Sequence, residues 1–154
     1  MAGRADRRLW SPAAAPAVGA GWSWSLARVS DLPRVRAELR RHLVGAGEHR
    51  DPDAVADATD QLVLAFDEMS SNALRHGGGG VVSSVRGCTG GWLVEVCDDD
   101  AHTSPTPAVD RDPSQGGLGL YLIAELAVDH GWQVRAGHKA VWAVLPWPAP
   151  APPA

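Results

Sequence analysis

The sequence predicts an α+β fold, a two-layer sandwich with a mostly antiparallel sheet and helices on one face. Three observations lead there. Apolar residues recur at steps of three and four in some stretches and alternate in others. The later alternating stretches come in pairs joined by glycine-bearing turns, which is how antiparallel neighbours connect. The resulting order, β-α-α-β-β-loop-α-β-β, separates helices from paired strands. A doubly wound parallel sheet would instead alternate strand and helix.

The elements follow in chain order. Residues 1–20 are Ala, Pro, Gly and Arg without a period and read as a disordered arm. Trp22, Trp24 and Leu26 alternate with Ser23 and Ser25, as in a half-buried strand. Ser30 or Asp31 can cap a helix starting near Pro33. Leu32, Val35, Leu39 and Leu43 give that helix its apolar stripe, and Gly45 and Gly47 end it. Asp51 caps a second helix with Pro52 at its first position. Its stripe is Val55, Ala58, Leu62, Ala65, Phe66, Met69 and Ala73, and it runs to His76, where the Gly77–Gly80 run stops it.

A hairpin, Val81–Arg86 and Trp92–Cys97, turns through Cys88-Thr89-Gly90-Gly91. Residues 99–115 are polar, hold Pro105, Pro107 and Pro113, and read as a functional loop, most simply a lid. A third helix spans roughly Gly119–Asp129. The last hairpin pairs Trp132–Ala136 with Ala140–Leu145 across a turn at Gly137-His138. A Pro-rich tail, residues 148–154, should be extended and solvated. The domain itself is residues 21–147. Trp10 and Trp147, near the ends, could dock on the domain or on a partner.

Composition narrows the function. A chain of 154 residues fits one domain, and 45% apolar residues with 21% charged is a globular balance. A net charge of −4 gives no basic footprint for direct nucleic-acid binding. No apolar run is long enough to span a membrane. Two cysteines, Cys88 and Cys97, are too few for a secreted disulfide scaffold, and the early WSPAAAPAVGA stretch is too weakly hydrophobic for export. A cytoplasmic protein with reduced thiols is the expectation. His76, His102, His130 and His138 form no metal spacing, and no G-x-S-x-G elbow offers a hydrolase nucleophile.

Three constellations could carry chemistry. Glu68 and Asn72 stand four apart and share a helix face beside the apolar stripe. A carboxylate there can act as a general base, and an amide oxygen is a hard neutral donor suited to Mg²⁺ on phosphates. Alone, the pair also describes a solvated helix edge. Gly116-Gly117-Leu118-Gly119 precedes an apolar helix, and such a junction can bind phosphate through free N–H groups or simply connect loop to helix. It is neither a dinucleotide fingerprint nor a Walker A loop: it follows no strand, Leu122 replaces the third glycine, and no Gly-Lys pair exists. Asp98 closes an apolar strand and opens Asp98-Asp99-Asp100. It could accept a hydrogen bond from an exocyclic amine, or be a solvated acidic turn.

In series these stretches resemble the ATP-binding fold shared by sensor histidine kinases, DNA gyrase and heat-shock chaperones. FDEMSSNALRHG resembles its N box, VEVCDDD its G1 box and GGLGLYLIAELA its G2 box. The resemblance covers about residues 22–147. The short length without phosphoacceptor helices, and the closing GHKAVWAVLP, are similar to the anti-sigma factor serine/threonine kinases of bacteria.

The resemblance implies a histidine-kinase-like ATPase fold, ATP and Mg²⁺ as cofactors, and phosphorylation of an anti-sigma factor antagonist, with a sigma factor as second partner and a homodimer as assembly. It places Asn72, the only asparagine, on the Mg²⁺-coordinating residue and Glu68 on the base for the attacking hydroxyl. Asp98 falls on the adenine-recognising Asp. Gly116, Gly117 and Gly119 fall on the phosphate-facing glycines, and Arg75 and His76 at the helix end near the nucleotide.

Asp100 and His102 replace glycines of the G1 box, Leu118 stands where many relatives have Arg, and Ala140 stands where a Thr often contacts the base region. These departures keep a second reading in view, a non-catalytic module that sequesters a partner with or without nucleotide.

Overall fold

A computed structural model describes residues 10–76, 79–102 and 118–153. Five antiparallel strands form one sheet: β1 (Gly21–Leu26), β2 (Val81–Cys88), β3 (Gly91–Asp98), β4 (Asp129–Arg135) and β5 (His138–Pro146), in the spatial order β1-β2-β3-β5-β4. Among the described residues three α-helices, α1 (Leu32–Ala46), α2 (Pro52–His76) and α3 (Leu118–Leu126), complete the α+β architecture.

Strand alternation decides which side chains meet the helices. Trp22, Trp24 and Leu26 pair across to Val85, Ser83 and Val81. Val94 and Val96 lie opposite Ala143 and Val141. With Val35, Leu39 and Leu43 of α1, and Leu62, Phe66 and Met69 of α2, the apolar members of these pairs form one buried core, and Trp22 and Trp24 pack against it part-buried. The stripes read from the sequence are therefore the faces that pack. Asp51 caps α2 as expected, its Oδ2 accepting from the Ala54 N–H at 3.0 Å. Asp31 accepts instead from the Ala27 and Arg28 N–H groups, at 2.9 and 3.1 Å, fixing the turn before α1. Those two bonds hold its carboxyl below the ordinary value.

Three expectations need correction. Residues 10–20 of the arm are ordered. Trp10 is 4% exposed and sits in the core. The Ala13 N–H donates to Trp132 O at 2.9 Å, and the Trp132 N–H to Ser11 O at 3.2 Å, so this segment pairs in parallel with the outer edge of β4. The chain then crosses the face away from the helices, where the Trp142 indole N–H donates to Ala13 O at 2.9 Å, and it meets β2 through Gly19 and Gly87. No period marks this segment because it is a strap satisfied by scattered backbone hydrogen bonds.

The third helix ends at Leu126, not Asp129, because Val128 N already donates to Val144 O at 2.8 Å and draws the chain into the sheet. The last turn is Ala136-Gly137, closed by the Arg135–His138 pair, with both residues at positive φ (50° and 80°) as a two-residue hairpin turn requires. The Pro-rich tail carries no regular structure and is held at two points: Arg50 Nε donates to Pro148 O, and Ala151 N to His49 O, both at 2.7 Å.

Candidate functional site

Helix α2 delivers Glu68 and Asn72 to one end of the sheet. Its buried Ser70 hydroxyl shares a 2.8 Å hydrogen bond with Ser83 Oγ of β2, locking the helix to the sheet between those two residues. On the outer side Arg36 of α1 pairs with Asp67. Glu68 and Asn72, one turn apart, are half-buried.

Opposite α2, β3 ends at Asp98 and β5 begins near Lys139, which is the cross-strand partner of Asp98. Met69, Asn72, His76, Asp98, Leu120 and Lys139 surround a cavity of about 20 Å³. That is room for about one water molecule. Asp98 is only 2% exposed. Its Oδ1 accepts from the Asp100 N–H at 2.8 Å, and its Oδ2 lies 3.7 Å from Lys139 Nζ. Burial pushes its pKa above the ordinary 3.8, opposed by the Asp100 N–H and then by the Lys139 charge. Lys139 is itself 8% exposed and also lies 4.0 Å from Asp100 Oδ2.

Glu68 meets the first turn of α3. A Cβ added to Gly119 would lie 2.2 Å from Glu68 Oε2, so only glycine lets this turn approach the carboxylate. An anion at a helix N-terminus is electrostatically favourable. No hydrogen bond to the Asn72 side chain forms among the described residues.

The structure thus brings Asn72, His76 and Asp98 to one cavity, with Glu68 and Gly119 one turn away. Arg75 is exposed and does not line the cavity. Gly116 and Gly117 lie outside the described residues, and Leu118 opens α3. Ala140 does not line the small cavity but shares a larger hollow with Asp98. Strand alternation turns its side chain to the face away from the helices, and the hollow it lines, about 450 Å³, is also bordered by Cys97, Asp98, Arg135 and His138. The β5 residue that meets Asp98 is its neighbour Lys139. Its signal was available: it is the only lysine in the chain and stands one position before Ala140.

The histidine kinase-like ATPase domain matches residues 26–145, the span that contains α2, Asp98, α3 and the closing hairpin. The chain belongs to this family. No curated protein matches it. Membership in the histidine kinase-like ATPases implies ATP binding, and the donor set fits such a ligand. Asn72 presents an amide with no hydrogen-bond partner among the described residues, and Asp98 presents a buried carboxylate with acceptor capacity left over. Among the described residues no cluster of three or more His, Cys, Asp or Glu could hold a metal without help from a ligand. No described helix is long and apolar enough to cross a membrane.

Proposed function

We propose that this ATPase-family domain is a cytoplasmic protein serine kinase that uses Mg-ATP to phosphorylate a small anti-sigma factor antagonist, and so sets the availability of a sigma factor. The observation that carries the reading is the placement of Glu68 one turn before Asn72 on α2, at the end of the sheet where Asp98 is buried. Asn72 would hold the cation through its amide oxygen, and Asp98 would accept from the adenine amine. Glu68 would take the proton of the acceptor serine hydroxyl. Bound Mg-ATP supplies the transferable phosphoryl group and the cation that offsets its charge. Phosphoryl transfer asks mainly for positioning and charge stabilisation, so this short set of groups suffices.

One observation favours a second reading, a nucleotide-binding module without catalysis. The Glu68 carboxylate packs against Gly119, so it already meets the first turn of α3 without a ligand. Calorimetry with ATP, with and without Mg²⁺, followed by labelled transfer to the antagonist, separates the two. Asn72→Ala should abolish Mg-dependent binding, and unchanged affinity would sink the site assignment. Glu68→Gln should bind ATP as wild type does while transfer falls about 10²–10⁴-fold. Transfer at the wild-type rate would remove Glu68 as the base, and no transfer by the wild type would leave the module.

A further inference from the structure

Helix α3 is short, and its first turn lies at the site, yet much of its fixation comes from far away in the sequence. Leu120, in that turn, is 2% exposed and lines the cavity with Asn72 and Asp98. Its carbonyl oxygen accepts the indole N–H of Trp10 at 3.2 Å, a buried hydrogen bond spanning 110 positions. The Trp10 ring also meets His130 of β4 edge-to-face, with centroids 4.8 Å apart and planes at 67°. On the far side of Trp10, Ser11 and Ala13 are bonded to the edge of β4 and Ala13 to Trp142. The strap is thus anchored to the sheet, and Trp10 is its end, placed on α3. Gly131 shows how close the strap runs: a Cβ there would lie 3.0 Å from both Ser11 O and the Trp142 ring. Trp10 also lies outside the family match of residues 26–145.

We propose that Trp10 is a positioning residue for nucleotide binding. It holds the first turn of α3 against Glu68 and the Asn72–Asp98 cavity, so that the N-terminal strap sets the affinity of the site without touching the ligand. The argument is geometric. A helix of nine residues has too few turns to hold its own place in water. Its first turn must stay near the Glu68 carboxylate, where Gly119 leaves no slack. Trp10 supplies a wedge of buried indole and one directed hydrogen bond at that turn.

This proposal rests on the ATP-binding reading, so its test has one arm with nucleotide and one without. The full chain is compared with Trp10→Ala, Trp10→Phe and Leu39→Ala. Leu39 is a fully buried α1 residue remote from α3, and its truncation serves as a matched loss of stability. Amide hydrogen exchange is read without nucleotide, and ATP affinity by calorimetry, both well below each variant's unfolding transition.

Trp10→Ala should speed exchange across residues 118–126 selectively and weaken ATP binding by about tenfold, as loss of a buried contact and its hydrogen bond would. Trp10→Phe keeps the ring and loses the N–H, and should fall between. Leu39→Ala should lower the unfolding transition without that local exchange or affinity change. Unchanged exchange in α3 would overturn the proposal, as would faster exchange with wild-type affinity, or a loss of affinity in Leu39→Ala equal to that in Trp10→Ala. If wild type binds no ATP, the functional reading falls, and exchange in α3 alone decides whether Trp10 pins the helix.

Discussion

The same strands meet opposite chemistries at their two ends. Where β1 and β3 begin, His42 stacks on Trp22 at 4.6 Å, Trp22 lies 5.1 Å from Trp92, and Trp92 lies 6.1 Å from Trp147. Each such pair is worth about 0.5–1.5 kcal/mol beyond the area it buries. Where β3 ends and β5 begins, the facing residues are Asp98 and Lys139, with Asn72 and His76 above them. A buried carboxylate raises the free energy of the fold unless it is paired, and its partner here is a 3.7 Å contact. The aromatic end holds the sheet to the helices, while the charged end draws on that stability to keep ligand-binding groups out of water. Changes at the first end should therefore move stability, and changes at the second should move binding.

The largest test of that division is Phe66→Ala. Phe66 is fully buried on α2 and meets Trp24 of β1 edge-to-face at 5.4 Å. Its truncation should cost about 3–5 kcal/mol in denaturant unfolding. ATP affinity, measured where the variant is still folded, should stay at the wild-type value. A loss of affinity without a loss of stability would dissolve the distinction between the two ends.

A smaller test compares two tryptophans that look equivalent by composition. The Trp92 indole N–H is buried without a hydrogen-bond partner among the described residues, whereas that of Trp142 donates to Ala13 O. Trp92→Phe removes an unsatisfied donor together with some packing. Trp142→Phe leaves a carbonyl of the strap unpaired. Ala13 is exposed and water can reach its carbonyl, so the second should cost about 0.5–1.5 kcal/mol more than the first by thermal or denaturant unfolding. Equal costs would mean that the hydrogen bond holding the strap contributes nothing.

These residues also show what could be read from the sequence. The stripes of α1 and α2, the first hairpin and the Glu68–Asn72 spacing were legible because local periodicity encodes them, and the order of the boxes identified the family. The strap was not legible, since Ala and Pro carry no period and Trp10 gains its meaning only from Leu120 and His130. The face of Ala140 was not legible for a related reason. A motif gives a position along a strand, but the face depends on register, and the pairing of Asp98 with Lys139 puts Lys139 beside Asp98 on one face and the Ala140 side chain on the other. The position of β5 between β3 and β4 likewise emerges only from pairing of distant segments.

The smallest expected effect tests the charged end itself. Burial raises Asp98 above 3.8 in the folded chain. The stability this contributes is fully present below the unfolded value and is lost as pH rises through the folded one. Nucleotide binding should run the other way, because the ionised carboxylate is the stronger acceptor and carries no proton that competes with the amine, so affinity rises with pH through that same folded value. Lys139 opposes the shift, but after burial and the Asp100 N–H it is the lesser influence. Lys139→Met should therefore move the Asp98 midpoint further up, modestly, and carry the pH dependence of ATP affinity with it. A carboxyl NMR titration alongside calorimetry at several pH values reads both. A midpoint that stays put or falls would show that Lys139 does not hold Asp98 in its charged form, and the charged end would then be a carboxylate held by the backbone of its own loop.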